Sequence, residues 1–208
     1  MKEYTTVKQL GVDEYIEKRS RFICSCKPVS SVEDAEAFIN DLKTKYWDAR
    51  HNVYAYVLRE NNIMRSTDDG EPQGTAGVPV LDAIRKAGIV DVVVVITRYF
   101  GGVLLGTGGL VRAYSHSASL GLKAAQPVVM VPCTVCSVTC SYTHYGRVSA
   151  LVPACGGVTD DTVFDSDVHI EFHIPTGLLG DFNKQLADAT SGDVAAEVGD
   201  ERYFMSNP

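Results

Sequence analysis

"TRYFGGVLLGTGGLVRAY", residues 97–114, decides how the first half of this chain folds, because it follows the most apolar run in the sequence, IVDVVVVI (89–96). The run reads as a strand buried on both faces, and 107–125 reads as a helix with Leu110, Tyr114, Ala118 and Leu122 inward. Between them lie Gly101, Gly102, Gly106, Gly108 and Gly109, flanked by Arg98 and Arg112. A glycine-rich strand-to-helix corner brings backbone N–H groups against an anion, or it only permits positive φ and close helix packing. Two stricter nucleotide signatures fail. Gly101-x-x-x-x-Gly106 has P-loop spacing, but Thr107 and Gly108 stand where lysine and a hydroxyl residue belong. Gly106-x-Gly108-Gly109 lacks the dinucleotide spacing, and apolar AAQPVVM occupies the place of the acid expected about twenty residues on.

Working outward, Thr75 to Ala87 reads as a helix closed by Gly88, with Pro79 in its first turn. HNVYAYVL (51–58) alternates as a strand, and IMRST supplies its partner. Ser30-x-x-Glu33 is a capping box opening a helix whose inward face is Ala35, Phe38, Ile39, Leu42 and Tyr46. Strands at roughly 3–10 and 13–27 precede it, giving the order ββαββαβα. QPVVMVP (126–132) has a proline at each end and marks a boundary. Beyond it we expect a strand at 133–141, a helix near 143–152, and strands at 157–165 and 167–174. A helix at 176–189 capped by Thr176, with Leu178, Leu179, Phe182 and Leu186 on one face, then leads to a strand at 194–205. This βαββαβ order is the ferredoxin-like unit. The expectation is an α+β chain of two α/β-sandwich domains, 1–128 and 133–208.

The chain has 208 residues, 45% hydrophobic and 22% charged, enough for a real core. The first residues carry no apolar leader, and no run approaches membrane-spanning length, so we expect a soluble protein with no membrane partner. Six cysteines without a leader read as reduced thiols and favour the cytoplasm. Residues 1–130 hold 16 Lys and Arg against 15 Asp and Glu, whereas 131–208 hold 3 against 11. The acidic second half excludes wrapping by a nucleic-acid backbone, so any polyanion contact belongs to the first half.

Other candidates for chemistry are weaker. Asp68, Asp69 and Glu71 in STDDGEPQGTAGVP offer paired carboxylates for Mg²⁺ or acid–base work, yet they do not fit a calcium loop, and an acid-rich turn pairing with Arg98 or Arg112 is the simpler reading. Cys133, Cys136, Cys140 and His144 have ligand-like spacing, but strand alternation turns Cys136 and Cys140 one way and Cys133 the other. His169, Glu171 and His173 share one strand face, with the histidines roughly 13 Å apart, too far for one ion. His116 has serine neighbours but no placed acid, and Trp47 reads as core or rim.

ARHNVYAYVL, STDDGEPQGTAGVPVL and VVVVITRYFGGVLLGTGGLVRAY together resemble the YigZ/IMPACT family over residues 1 to about 125, and the second half resembles the small C-terminal domain of its bacterial branch. The resemblance implies a first domain similar to the fourth domain of elongation factor G and a ferredoxin-like domain similar to its fifth. In the eukaryotic branch it implies interference with a starvation-sensing kinase pathway acting on translation initiation, by competition for the kinase's activator; that branch carries a different partner-binding domain at its N-terminus, which is not expected here, so the specific role does not transfer. For the bacterial branch it implies no settled activity. The family blocks fall on His51, Asp68, Asp69, Gly70, Glu71, Pro72, Gly74, Thr75, Gly77, Arg98, Tyr99, Gly101, Gly102, Gly106, Gly108, Gly109, Arg112 and Tyr114.

Three readings stand. The leading one is a non-enzymatic, translation-associated regulator that binds RNA, the ribosome or a translation-related protein. It would use Arg98 and Arg112 on phosphate, Tyr99 or Phe100 for stacking, and glycine N–H groups for close approach. The second is an enzyme for a small anionic substrate, with Asp68, Asp69 or Glu71 as acid, base or Mg²⁺ ligand and Arg98 as clamp. The third is a protein-binding module with an acidic second domain. The candidate binding residues are His51, Asp68, Asp69, Glu71, Arg98, Tyr99, Gly101, Gly102, Gly106, Gly108, Gly109 and Arg112, with neither metal nor cofactor expected.

Overall fold

Because side chains alternate along a strand, a continuous apolar run must bury both its faces. In the computed structural model, which describes residues 1–206, that run becomes strand β6 (Val92–Tyr99) at the centre of a five-stranded antiparallel sheet. The first unit, Tyr4–Val129, is built in the order β1 (Tyr4–Val7), β2 (Gly11–Glu17), β3 (Ser20–Pro28), α1 (Val32–Lys45), β4 (His51–Leu58), β5 (Ile63–Thr67), α2 (Gly77–Lys86), β6 and α3 (Thr107–Ala124). The sheet order is β2-β3-β6-β4-β5. Val92, Val94 and Ile96 pack with α2 and α3, while Val93 and Val95 pack with α1 on the other face. By that alternation Arg98 points to the α2/α3 side and Tyr99 to the α1 side.

Three local expectations change. The stretch 13–27 is not one strand but the β2–β3 hairpin, turning at Lys18 and Arg19 with φ of 46° and 68°. A Lys-Arg pair carries no Gly or Asn signal for such a turn, so the alternation of the flanking strands ran together in the sequence. Helix α1 is capped by Ser31 rather than Ser30: the Asp34 N–H donates to Ser31 Oγ at 3.1 Å, and Ser30 Oγ donates to the Asp34 carboxylate at 2.9 Å. Trp47, which follows α1, is 82% exposed and belongs to no core.

The second unit joins Met1–Glu3 to the chain from Met130 onward, with β7 (Pro127–Cys140) leading into it. There follow α4 (Tyr142–Ala154), β8 (Val158–Phe164), β9 (Val168–Pro175), α5 (Leu179–Thr190) and β10 (Ala196–Met205). The strands run β10-β7-β9-β8, all antiparallel, the ferredoxin-like order. Val148 and Val152 of α4 and Phe182 and Leu186 of α5 cover one sheet face. Helix α5 starts at Leu179 after a 3₁₀ turn over Thr176–Leu178, so Thr176 caps nothing and Leu178 stays exposed. The remaining segment of this unit comes from the other end of the chain: Tyr203 Oη donates to the Lys2 carbonyl at 2.9 Å. Among the described residues no helix is long and apolar enough to cross a membrane.

Cysteines serve as small core residues. Burial pushes the Cys26 thiol up to about 12 and raises that of Cys24, which leaves both protonated. Helix α3 lies on β3 through Gly121, where an added Cβ would stand 2.2 Å from Cys24 Sγ. Gly121→Ala is therefore expected to lower stability by about 1–3 kcal/mol in denaturant unfolding. Adding Cys24→Ala should restore part of the loss by removing the sulfur; equal midpoints for the single and double variants would show that the helix shifts instead.

Candidate functional site

Alternation along β6 places one guanidinium among apolar side chains, and a buried cation needs a partner. Arg98 is 5% exposed, and its Nη1 donates to Glu71 Oε1 at 2.5 Å. The same carboxylate oxygen accepts from Tyr114 Oη of α3 at 2.8 Å, and Arg98 Nη2 donates to Ser20 Oγ at 3.3 Å. Four segments thus meet at one ion pair: the start of β3, the acidic turn, the end of β6, and α3. Burial, reinforced by the Glu71 charge, raises the Tyr114 pKa, so the phenol stays a donor.

The acidic turn 68–71 has a separate task for each carboxylate. Asp68 accepts from the backbone N–H groups of Gly74, Ala76 and Gly77 at 2.8, 3.1 and 2.8 Å, and so caps α2. Partial burial opposes ionisation there, but the three N–H donors outweigh it and lower the Asp68 pKa. Asp69, at φ 44°, accepts the Asn52 N–H at 2.6 Å and lies 3.6 Å from Lys43 Nζ. Its carbonyl meets His51 Nδ1 at 2.8 Å. A carbonyl only accepts, so Nδ1 carries the proton in the neutral ring and Nε2, 3.9 Å from Glu71 Oε1, is the acceptor. The expected pairing of this turn's acids with an arginine falls on Glu71 alone.

The glycine corner divides its duties as well. A Cβ on Gly101 would stand 2.1 Å from the Arg19 backbone, so this glycine seats the β2–β3 hairpin. Gly102 and Gly106 have φ of 82° and 72° with open space around them, so they serve the turn. Gly106 is the N-cap of α3, no side chain caps that helix, and Thr107 and Gly108 are exposed beside it. Gly109 packs on Leu105.

A cavity of about 400 Å³ opens between this helix start and the beginning of β4, lined by Arg50, His51, Arg98, Phe100, Leu104 and Gly106 among others. The structure thus gathers His51, Glu71, Arg98 and Gly106 at one cavity. It separates Tyr99, which faces the other side of the sheet and donates to Asp48 at 2.8 Å. It also separates Arg112, which lines a second cavity with Lys18 and His116. Arg98 is buried with its Nη1 paired to Glu71 and is not displayed on the open surface, because alternation turned it inward. Arg50, Lys18 and Ser20 were missed; their only sequence signal is adjacency to the strand ends that register brings beside β6. In the second unit, His169 bonds Thr139 and His173 bonds Asp160 while stacking on Phe204. Among the described residues no group of three or more His, Cys, Asp or Glu is placed to hold a metal ion.

Removing one partner of the buried pair should cost far more than removing one hydrogen bond. Arg98→Ala is expected to lose about 3–5 kcal/mol in urea unfolding, whereas Tyr114→Phe loses about 1 kcal/mol. Similar losses would mean that water reaches Glu71. Asp68→Asn should weaken the α2 cap by about 1 kcal/mol at neutral pH. The Asp68 contribution is full above the ordinary carboxylate value of 3.8 and disappears as pH falls through its lowered value, so the variant's deficit should shrink in acid. A pH-independent deficit would contradict the assignment.

Residues 18–122 match the family model described as the Impact N-terminal domain, and residues 138–193 match one described as a domain of unknown function (DUF1949). The chain is 35% identical to the IMPACT family member YvyE of Bacillus subtilis, over 97% of this chain and 93% of that protein. It is 33% identical to the IMPACT family member YigZ of Escherichia coli, over 85% and 88%. Protein IMPACT of Xenopus laevis is 36% identical over 43% of this chain and 30% of its own length. A solved structure titled as the crystal structure of a hypothetical protein aligns with a TM-score of 0.61 at 30% identity, covering 96% of this chain and 98% of the other. The first model match spans Ser20, Glu71, Arg98 and Tyr114, every member of the buried network, and with such identity along nearly the whole chain this protein belongs to the IMPACT family.

Proposed function

We propose that this protein is a non-enzymatic, translation-associated binding protein whose first unit contacts RNA or the ribosome. The observation that carries this reading is the placement of exposed cations around the glycine corner. Lys18 and Arg19 form the tip of the β2–β3 hairpin, and Lys18 shares a cavity of about 330 Å³ with Arg112 and His116. The acid in that cavity, Glu17, is already engaged, accepting from Tyr15 Oη at 2.6 Å. In a chain of net charge −7 such a cluster is a local exception. The tip also holds two consecutive non-glycine residues at positive φ, each costing about 1 kcal/mol, where Asn-Gly would be unstrained. A strained turn that keeps two cations outward fits a surface for phosphodiesters. The family resemblance implies domains similar to the ribosome-contacting fourth and fifth domains of elongation factor G, which favours the same reading.

Co-sedimentation with ribosomes at low and moderate salt tests it. Binding is expected to weaken with salt, and Lys18→Ala with Arg112→Ala should flatten the salt dependence, by a slope of about 0.7 for each phosphate no longer neutralised on single-stranded RNA. Both residues are exposed or at the rim, so the variant should keep its fold. Binding that ignores salt points to a translation-related protein as partner, and no binding by either form removes the reading.

A further inference from the structure

We infer that the cavity between the start of α3 and the start of β4 holds the phosphate of a phosphate monoester whose remaining body is apolar or planar and about the size of a nucleoside. This site is distinct from the cationic surface above. The two cavities have Leu105 in common and differ in every charged residue.

Donors outnumber acceptors at this cavity. Two arginines, Arg50 and Arg98, and one carboxylate, Glu71, line it, and Glu71 Oε1 already accepts from Arg98 and Tyr114. Arg98 is 5% exposed, yet its Nε–H is buried without an acceptor. An orphaned N–H on a buried cation is costly, and an anion seated in the cavity the residue lines would satisfy it. Helix α3, 18 residues long, opens on the same cavity through Gly106 and Thr107 with no capping side chain, adding the positive end of its dipole. A tetrahedral phosphate offers three terminal oxygens to these converging donors, whereas a carboxylate offers two. His51 Nε2, left as the acceptor by the bond between Nδ1 and the Asp69 carbonyl, completes the match by accepting from the P–OH of the monoanion.

The rest of the wall is apolar. Phe100 is 42% exposed and Leu104 83%, and both line the cavity together with Pro72. Inorganic phosphate would leave these side chains in water, whereas a base or similar flat group would cover them. A volume of about 400 Å³ lies within the range of small-molecule sites.

The test is a titration of the full ¹⁵N-labelled chain with inorganic phosphate, adenosine, adenosine 5′-monophosphate, and an RNA hexamer with and without a 5′-phosphate. Adenosine 5′-monophosphate should shift the amides of Gly70 and Gly106–Gly108 saturably, more tightly than inorganic phosphate and far more tightly than adenosine. Arg50→Ala, at an exposed position, should weaken binding by about tenfold, as expected for one charged hydrogen bond. Lys18→Ala with Arg112→Ala should leave it unchanged, which separates this result from the ribosome experiment. A response to the phosphorylated hexamer without one to the mononucleotide identifies an RNA end as the source; the reverse identifies a free nucleotide. No saturable shift at these amides with either probe, or wild-type affinity in Arg50→Ala, overturns the site. Equal affinity for phosphate and the nucleotide overturns its apolar half.

Discussion

The first unit depends on one buried charge. Arg98 enters the apolar side of the sheet because β6 alternates, and it stays there because Glu71 neutralises it. The carboxylate is delivered by a turn that Asp68 ties to α2 and Asp69 ties to β4 through Asn52. Tyr114 then fastens α3 to the same oxygen, and Ser20 links the guanidinium to the β2–β3 hairpin. Together with the close approach of Gly121 to Cys24, the ion pair and its hydrogen bonds hold α3 over the sheet, and Arg98 and Glu71 line the cavity beside its start.

The corner's glycines divide between close backbone approach and the start of a helix. Gly101 makes room for the hairpin backbone, a purely structural use, while Gly106 leaves the start of a long helix without a side-chain cap. A similar division applies to the acids: Asp68 and Asp69 are engaged by backbone donors, so the carboxylate left near the cavity is the one already paired with arginine. All three carboxylates of the DDGEP turn thus have partners within the fold.

Much of the architecture was legible because periodicity is local. The both-faces burial of β6, the inward stripe of α3 and the βαββαβ order of the second unit follow from spacing that a strand or helix must obey. Where the reading slipped, local chemistry was silent. Lys18-Arg19 turns the chain without a turn residue, and Thr176 has the side chain of a cap but precedes a 3₁₀ turn. The site was half legible. Glycines and acids marked its segments, and alternation along β6 by itself parts Arg98 from Tyr99, but which carboxylate meets Arg98 depends on register between strands far apart in sequence. Arg50 carries no mark at all until β4 is laid beside β6.

The second unit is discontinuous in sequence, since Lys2 accepts from Tyr203 and the Met1 ammonium lies 3.6 Å from Glu201. During synthesis the residues of the first unit emerge in one uninterrupted run, whereas residues 1–3 must wait for β10, whose Tyr203 lies 201 positions beyond Lys2. A segment made before the first unit is thus among the last to find its hydrogen bonds, and closure of the second unit comes after every residue of the first has been made.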